Sequence, residues 1–305
     1  MALWTRRTLL GAGGAALLAP ALARAQPPHR SRLILLGTKG GPTPSRFRAP
    51  ASNLLVVDGE PYVIDAPDGV ASRLAQAGMD LARLKNIFIT HNHSDHQAGL
   101  GALLILAWGS GLQTPVDIYG PPPLRRLVAG HLAANATDIE VRMREEGRPP
   151  LAPLIRVHEL TRGGTVLQAG EVRVRCALAN HLTIANYAYR FDTPDRSFVF
   201  SGDTRPADAV IALARGADIL VHEAMLVSAL RTITDGNAPR LLDHLLRSHT
   251  TTEELGRVAE AAGVGTLVLS HLVPAFPNLT DEMWIEGVRR SYHGRIVVGR
   301  DMMEI

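Results

Sequence analysis

Short apolar runs, separated by glycine, proline and aspartate, alternate along the chain with stretches of helical periodicity. In the first half these runs predict an antiparallel meander of strands, followed by a helix from about Gly69 to Ala77. A strand from Asn86 to Thr90 and an apolar, buried helix at Leu100–Trp108 are predicted next. The other strands predicted in this half are Leu33–Leu36, Asn53–Val57, Tyr62–Ile64 and Val116–Tyr119.

The second half repeats this alternation, which indicates an α/β fold. Thr251 and Glu254 have the spacing of a capping box, so a helix is predicted from there to about Ala262. Strands in two groups, with helices outside them, predict a four-layer αββα sandwich. The strands predicted in this half are Val172–Ala179, Tyr187–Phe191, Ser197–Phe200, Ile219–Val221, Thr266–Leu269 and Arg295–Val298.

One stretch between the two halves is more charged than its surroundings. Residues 121–148 have a helical pattern, and Pro149, Pro150 and Pro153 then interrupt it. We therefore predict a surface excursion over 121–153. A lid over a nearby site and a plain solvated helix both fit this pattern.

The first 25 residues have the pattern of an export signal. Arg6 and Arg7 precede an apolar run from Thr8 to Leu22, and Ala23-Arg24-Ala25 provides a cleavage site. The paired arginines resemble a twin-arginine signal, which predicts a periplasmic or secreted protein. The alternative is an uncleaved membrane anchor, but the run is short and rich in glycine. We expect one folded domain at 26–305.

Removal of the signal changes the charge of the protein. It carries three arginines and no acidic residue, so the formal net charge falls from +3 to +3 − 3 = 0. A neutral chain has no general attraction for nucleic acid. The single cysteine, Cys176, cannot form an intramolecular disulfide, and its alternating surroundings predict a small buried side chain rather than a ligand.

The strongest chemical signal is a cluster of histidines directly after the predicted strand at 86–90. The segment reads Thr90-His91-Asn92-His93-Ser94-Asp95-His96. A metal site needs several imidazoles and carboxylates that converge on one point. A strand followed by a tight loop can direct His91 and His93 to one metal, and Asp95 and His96 to a second. The alternative, a histidine-rich surface loop, does not explain why an apolar strand precedes it.

Three further candidate ligands follow the ends of apolar strands, where sites of α/β proteins form. They are His181, Asp203 and His271. The full set then places His91, His93 and His181 on one metal, Asp95, His96 and His271 on the other, and Asp203 between them. We expect two zinc ions, although such ligands also accept manganese or iron. The other histidines, predicted to be surface or core residues, are His29, His131, His158, His244 and His293.

The pattern His-x-His-x-Asp-His, followed by His, Asp and His, resembles the metallo-β-lactamase superfamily over nearly the whole mature chain. True metallo-β-lactamases carry Cys or His where this chain has Asp203. A bridging aspartate is similar to the glyoxalase II, phosphodiesterase, arylsulfatase and ribonuclease Z branches.

Two motifs resemble ribonuclease Z-like enzymes. Val221-His222-Glu223-Ala224 resembles their His-Glu-Ala-Thr motif, with Met225 in place of Thr. His249-Thr250-Thr251 resembles their His-Ser-Thr motif. Two other segments, Gly37–Pro42 and Tyr119–Pro122, look more like the arylsulfatase-type group.

The resemblance and the chemistry together suggest roles for the remaining polar residues. Two metals would lower the pKa of a bridging water, which gives a hydroxide nucleophile near neutral pH. Asp95 would orient that nucleophile or accept its proton. His249 is the candidate proton donor to the leaving group, held by Glu223. His222 is either a further catalytic residue or a structural one. Asp65 is expected to support a metal-binding histidine.

We expect from these observations an exported hydrolase of small sulfate or phosphate esters. Its partner would be a small-molecule ester, with no nucleic acid and, after signal cleavage, no membrane; a homodimer is left open. A ribonuclease Z-like endonuclease is the main alternative, but the short interval from His181 to Asp203 leaves no room for the basic arm with which such enzymes hold tRNA. A lactone or β-lactam hydrolase and a non-catalytic metal-binding domain are further alternatives.

Overall fold

The computed structural model of the protein describes residues 29–230 and 239–305. Within these ranges no helix is both long and apolar enough to span a bilayer. The predicted export signal at residues 1–25 lies outside the described residues, so it stays a prediction.

The described residues form strands and helices in the alternation that the sequence predicts. The strands are β1 Ser31–Gly37, β2 Ser52–Val57, β3 Glu60–Ile64, β4 Asn86–Phe88, β5 Val116–Gly120, β6 Ile155–Glu159, β7 Gly164–Ala169, β8 Val172–Leu178, β9 Tyr187–Asp192, β10 Ser197–Phe200, β11 Ile219–Met225, β12 Thr266–Val273, β13 Arg295–Val298 and β14 Met303–Glu304. The helices are α1 Val70–Gln76, α2 Ser94–Gln97, α3 Leu100–Gly109, α4 Leu124–Ala134, α5 Ala136–Glu146, α6 Asp208–Ala214, α7 Val227–Leu230, α8 Leu241–Ser248, α9 Thr252–Ala262 and α10 Asp281–Arg289.

The strands form two sheets of seven, in the orders β14-β1-β2-β3-β4-β5-β6 and β13-β12-β11-β10-β9-β8-β7. Apolar side chains from both sheets interdigitate between them. Phe88 of β4, for example, meets Phe191 of β9 edge to face, with ring centroids 5.1 Å apart. This inner layer of apolar side chains joins the two sheets into one core.

Helices cover the outer face of each sheet. Residues of α1, α3 and α4 pack on the first sheet, and residues of α6, α9 and α10 pack on the second. Strands β11 and β12 are covered on both faces, which explains the continuous apolar runs Ile219–Val221 and Leu267–Leu269 in their first halves. The layers are therefore helix, sheet, sheet, helix, and the predicted αββα sandwich is confirmed. Cys176 is 4% exposed, as predicted for a buried cysteine.

The sequence pattern missed the strands at residues 155–169. Side chains in β6 and β7 are half-buried or exposed, so these edge strands lack the apolar alternation that identifies a strand. The helical prediction for 121–148 is confirmed by α4 and α5. The capping box is also confirmed, because Thr251 Oγ1 accepts a hydrogen bond from Glu254 N at 3.2 Å and Glu254 Oε2 accepts one from Thr251 N at 3.0 Å.

Candidate metal centre

The predicted ligands meet where strands of both sheets end at a common edge. Strands β10, β11 and β12 are parallel, and β4 is parallel to β3 and β5, so their carboxyl ends point the same way. The loop after β4 carries the first histidine cluster. The ends of β8, β10 and β12 carry His181, Asp203 and His271. The structure thus brings together all seven residues that the sequence predicts as ligands.

The first group consists of three imidazoles. Nδ1 of His93 lies 3.0 Å from Nε2 of His91 and 3.2 Å from Nε2 of His181. The outer nitrogens of the other two rings are held elsewhere: Nδ1 of His91 lies 3.1 Å from the Thr90 hydroxyl, and Nδ1 of His181 donates to the carbonyl of Ser248 at 3.1 Å. Three nitrogens therefore face one point, as ligands around a metal do.

The second group consists of Asp95, His96 and His271. Nε2 of His271 lies 3.4 Å from Oδ2 of Asp95, and Nε2 of His96 lies 3.7 Å from the same oxygen. These three side chains are 8% exposed or less. One carboxylate and two imidazoles are a common ligand set for a divalent cation.

Asp203 lies between the two groups. Its Oδ1 is 3.4 Å from Nε2 of His96 and 3.3 Å from Nε2 of His271. Its Oδ2 faces the first group and is 3.8 Å from Nε2 of His91. Each oxygen of the carboxylate is thus directed at one group, as a bridging ligand requires.

Two local backbone features place these side chains. His271 is the extra residue of a bulge between β11 and β12, and its φ of 41° is unusual for a residue other than glycine. Gly202, with φ of 60°, precedes Asp203. A Cβ at Gly202 would lie 2.5 Å from the Asn186 side chain and would clash with it. Glycine therefore allows the close approach of this loop that positions Asp203.

Asp65 holds one of the predicted ligands, His96, from behind. Its Oδ2 lies 2.8 Å from Nδ1 of His96, and its Oδ1 accepts a hydrogen bond from Thr90 N at 2.8 Å. This contact fixes the ring so that Nε2 of His96 faces the second group. The φ of 62° at Asp65 shows that this residue is held in an uncommon backbone conformation.

Asp65→Asn is expected to weaken metal binding by about 10- to 100-fold, because loss of a carboxylate that orients a ligating histidine has effects of this size. Metal titration followed by calorimetry measures the change. The matched control is Asp117→Asn, which alters an aspartate bound to the exposed His158 at 2.7 Å, away from the site. Equal metal affinity in the two variants would contradict the role of Asp65.

The electrostatics of the groups suit a cation. Burial, together with His96, lowers the pKa of His91 well below its ordinary value, and burial and His181 lower the pKa of His93 to about 4. These imidazoles are therefore neutral, which is the form that binds metal. Burial opposes charge on His96, but Asp203, Asp65 and Asp95 together raise its pKa well above the ordinary value. Positive charge is thus stabilised at the second group.

Buried polar atoms at the centre also fit a metal ion. Among the described residues, His96 Nε2 and Asp203 Oδ1 have no hydrogen-bond partner although each is buried. Such atoms are costly unless another group satisfies them. The donor set, its negative charge and these atoms together fit a divalent cation.

The pair Glu223 and His249 lies beside the second group. Oε1 of Glu223 lies 3.1 Å from Nδ1 of His249, and it also accepts hydrogen bonds from the backbone N–H groups of Thr204 and Thr250. Burial opposes charge on the imidazole, but the Glu223 carboxylate raises the pKa of His249 to about 9. His249 is therefore protonated at neutral pH, with Nε2 as its remaining donor.

His222 does not reach the same space. The residue is 1% exposed, and its Nδ1 donates to the backbone carbonyl of Glu223 at 2.8 Å. It lines a small cavity of about 30 Å³ behind the ligand groups and belongs to none of the metal-binding groups of the described residues. Of the two roles that the sequence left open, this position favours the structural one.

A cavity of about 720 Å³ opens in front of the metal-binding groups. Its floor includes His93, Asp95 and His249, and its walls come from residues 39–47, α8 and residues 273–277. No residue of 121–153 lines it, so the structure gives no support for a lid formed by that segment.

Sequence reasoning missed several residues of this cavity. His244, predicted to be a surface or core residue, lines the wall and lies with its ring centroid 6.3 Å from that of His181. Lys39 is 6% exposed and also lines the cavity. The spacing of Leu241, His244 and Leu245 is helical and was available as a signal, but nothing in the sequence indicates what the helix faces.

Comparison with known proteins identifies the family. The family model described as "Beta-lactamase superfamily domain" matches residues 62–272. The chain is 34% identical over 277 residues to a protein named Ribonuclease Z from Mycobacterium bovis (strain BCG / Pasteur 1173P2), with 90% of this chain and 97% of that protein covered.

Two solved structures show the same fold. The short form of human tRNase Z matches with a TM-score of 0.65 at 20% identity, over 90% of this chain and 98% of that one. The metallo-beta-lactamase fold protein YhfI from Bacillus subtilis matches with the same TM-score, identity and coverage.

The relatives correct one prediction from the sequence. The prediction of a hydrolase of small sulfate or phosphate esters without a nucleic-acid partner was wrong, because relatives at 34% identity over nearly the whole chain are named Ribonuclease Z. Strands β9 and β10 do fill the interval between His181 and Asp203, but this excludes an arm at one position only. A formal net charge of zero likewise does not exclude positively charged side chains close to the site. The chain belongs to the metallo-β-lactamase superfamily, in its ribonuclease Z-like branch, and is a metal-dependent hydrolase.

Proposed function

We propose that the protein is a ribonuclease Z-like endonuclease that hydrolyses phosphodiester bonds in RNA, with precursor tRNA as the first substrate to test. The observation that carries the proposal is the Glu223–His249 pair. It supplies a protonated imidazole beside Asp203 and His271, in the cavity that contains the metal-binding groups. The relatives named Ribonuclease Z support RNA as the substrate.

The two ligand groups are proposed to hold two zinc ions. His91, His93 and His181 form one site, Asp95, His96 and His271 form the other, and Asp203 serves both. The ions would neutralise charge on the phosphoryl oxygens and lower the pKa of an attacking water. Manganese or iron would suit the same ligands, since imidazole and carboxylate accept each of them.

Two different residues of the chain carry out the proton transfers. Asp95 lies on the cavity floor, where its carboxylate can orient the attacking water or accept its proton. His249 donates a proton to the oxygen that leaves. Glu223 keeps His249 charged and in place through the contact of 3.1 Å at Nδ1.

A gel assay with metal-loaded protein tests the proposal. We expect site-specific removal of the 3′ trailer from a precursor tRNA at physiological salt, and little cleavage of mature tRNA. Asp203→Ala, which lacks the carboxylate between the two ligand groups, serves as the inactive control. If the protein turns over bis(p-nitrophenyl) phosphate but cuts neither precursor tRNA nor an unstructured RNA, the proposal is overturned.

We further propose that the protein is exported. The support is the sequence of residues 1–25, with Arg6 and Arg7 before an apolar run and a cleavage site. Replacing both arginines with lysine is expected to leave uncleaved precursor in the cytoplasm, as measured by fractionation and immunoblotting. Normal export of this variant would contradict a twin-arginine signal. If the wild-type protein is exported, its RNA substrates are those found outside the cytoplasm.

A further inference from the structure

Buried polar atoms surround the small cavity of about 30 Å³ that lies behind the ligand groups. Among the residues that the structure describes, seven side-chain atoms of its lining are buried and have no hydrogen-bond partner. Three of them belong to the predicted ligands His96, Asp203 and His271. The other four are Asn53 Oδ1, His222 Nε2, Glu223 Oε2 and Ser270 Oγ. A buried polar group without a partner costs free energy, so these four atoms require an explanation.

The four atoms are short of hydrogen-bond donors. Oδ1 of Asn53 and the carboxylate oxygen Oε2 of Glu223 can only accept hydrogen bonds. Nδ1 of His222 donates to the carbonyl of Glu223 at 2.8 Å, so Nε2 of the neutral ring is a further acceptor. Burial lowers the pKa of His222, which favours this neutral form. The hydroxyl of Ser270 is therefore the single donor in the set.

No direct contact among these side chains supplies the missing donors. Each of the four atoms lies beyond hydrogen-bond distance of the other three, since none of them has a partner. Polar groups separated in this way are commonly bridged by water, which donates as well as accepts. One water molecule donates to two of the acceptors and can accept the hydroxyl proton of Ser270. The chemistry of the lining therefore fits a water molecule.

The size and polarity of the cavity fit the same ligand. A water molecule needs a cavity of roughly 10 to 15 Å³, so this cavity has room for one or two. Cavities that stay empty are lined by apolar side chains, whereas this lining is polar on both sides. Ser270 is paired in register with Glu223, and Asn53 closes the cavity from the opposite sheet.

Glu223 links this cavity to the proposed proton donor. Its Oε1 accepts hydrogen bonds from the backbone N–H groups of Thr204 and Thr250 at 3.0 and 3.1 Å, and lies 3.1 Å from Nδ1 of His249. Its Oε2 has no partner among the described residues. A buried carboxylate is costly unless its oxygens are hydrogen-bonded. A donor at Oε2 would therefore stabilise the charge of Glu223 and fix the carboxylate that holds His249.

We infer that this cavity binds a water molecule that bridges Nε2 of His222 and Oε2 of Glu223, and that His222 acts through this water as a positioning residue for His249. His222 is 1% exposed and belongs to none of the metal-binding groups of the described residues, so it acts on the reaction through other groups. The water site does not depend on the substrate. The effect of His222 on the reaction rests on the proposed function, in which His249 protonates the oxygen that leaves.

A crystal structure of the metal-loaded full chain, at a resolution that shows ordered water, tests the binding site. We expect a water in the cavity within hydrogen-bond distance of both His222 Nε2 and Glu223 Oε2. The structure of His222→Phe should show no water at Oε2, because the phenyl ring is larger than the imidazole and has no acceptor. An empty cavity in the wild type would overturn the inference. A metal ion surrounded by oxygen ligands at this position would overturn it as well.

Kinetics with two phosphodiesters test the positioning role. The kcat of His222→Phe on RNA should fall on the order of tenfold, which is part of the contribution of a general acid. Its kcat on bis(p-nitrophenyl) phosphate should change much less, because p-nitrophenolate leaves without a proton. His222→Gln retains an acceptor for the water in its amide oxygen, so it should restore most of the rate on RNA. Both variants should contain as much metal as the wild type by elemental analysis, because His222 is not a predicted ligand.

Tyr292→Phe is the matched control, because it removes a buried hydrogen bond in the outer helical layer. Tyr292 is 3% exposed, and its hydroxyl donates to the carbonyl of Val264 at 3.0 Å. We expect wild-type rates of this variant on both substrates. Circular dichroism shows whether each variant folds. His222→Leu, with a smaller apolar side chain, repeats the test if His222→Phe does not fold.

The outcomes separate this inference from the function on which it partly rests. If the apolar variant keeps its metal and loses rate equally on both phosphodiesters, or loses none, His222 does not position the proton donor and the inference is overturned. If the wild type cuts no RNA, the proposed function is wrong and the role of His222 in it falls. The crystal structure still decides in that case whether the cavity binds water.

Discussion

Asp203→Ala is expected to abolish activity together with metal binding. The side chain faces both ligand groups, with Oδ1 3.4 Å from His96 Nε2 and Oδ2 3.8 Å from His91 Nε2. Its removal takes one ligand from each site and leaves five histidines close together without the charge that balances a cation. Because metal stabilisation of a phosphoryl group is worth several kcal/mol, kcat/KM should fall by at least about a thousandfold.

Elemental analysis and activity are measured on the same preparations. Asp203 is buried, so circular dichroism must show that the variant folds, and His93→Ala at the half-buried edge of the site provides a second, milder test. His158→Ala, which alters an exposed histidine outside the site, should keep its metal and its rate. Full activity of either ligand variant without bound metal would contradict the metal centre.

His249→Ala is expected to keep its metal and lose rate. A positioned general acid contributes about 10²- to 10⁴-fold, so kcat on RNA should fall by that factor. The loss should be smaller with bis(p-nitrophenyl) phosphate, because p-nitrophenolate leaves without a proton whereas a ribose oxygen needs one. The exposed His293 provides a control variant, His293→Ala, in which neither substrate should be affected.

An equal loss of rate on both phosphodiesters would show that His249 acts in some way other than as the proton donor. Loss of metal in the same variant would assign it to the second ligand group, since Asp203, His249 and His271 are also close enough to share an ion. Elemental analysis of His249→Ala therefore accompanies the kinetics.

Much of the site follows from the sequence because its ligands mark the ends of apolar strands. The cluster from His91 to His96 follows β4, and Asp203 follows β10, so the strand pattern alone predicts which residues meet. Asp65 follows β3 in the same way. Apolar periodicity identifies the strands of a buried sheet. Because parallel strands end at the same edge of that sheet, the residues that follow them lie close together.

The remaining features depend on tertiary contacts that no local pattern reports. His271 reaches the site through a bulge that is defined by the pairing of β12 with β11. The cavity walls come from the loop at 39–47, α8 and residues 273–277, which are far apart in sequence. Of the lining residues that these three segments contribute, His244 alone is of a metal-ligand type. His222 and Glu223 are neighbours in one motif, yet only Glu223 faces His249.

The error about the substrate has a physical explanation as well. Net charge is an average over the whole surface, whereas RNA binding depends on cations at particular places. Arg46 lines the cavity in front of the metal-binding groups, and its position could not be derived from the composition. The missing arm between His181 and Asp203 describes one way of holding tRNA and does not restrict the chemistry of the site.

Metal-dependent cleavage of a precursor tRNA tests the central claim most directly. Metal-stripped protein is reconstituted with increasing zinc or manganese, and bound metal and the rate of trailer removal are measured in each sample. We predict that the rate rises with bound metal and returns to background after chelation. Cleavage at the full rate by metal-free protein, or no cleavage of RNA by protein with both ligand groups filled, would contradict the account.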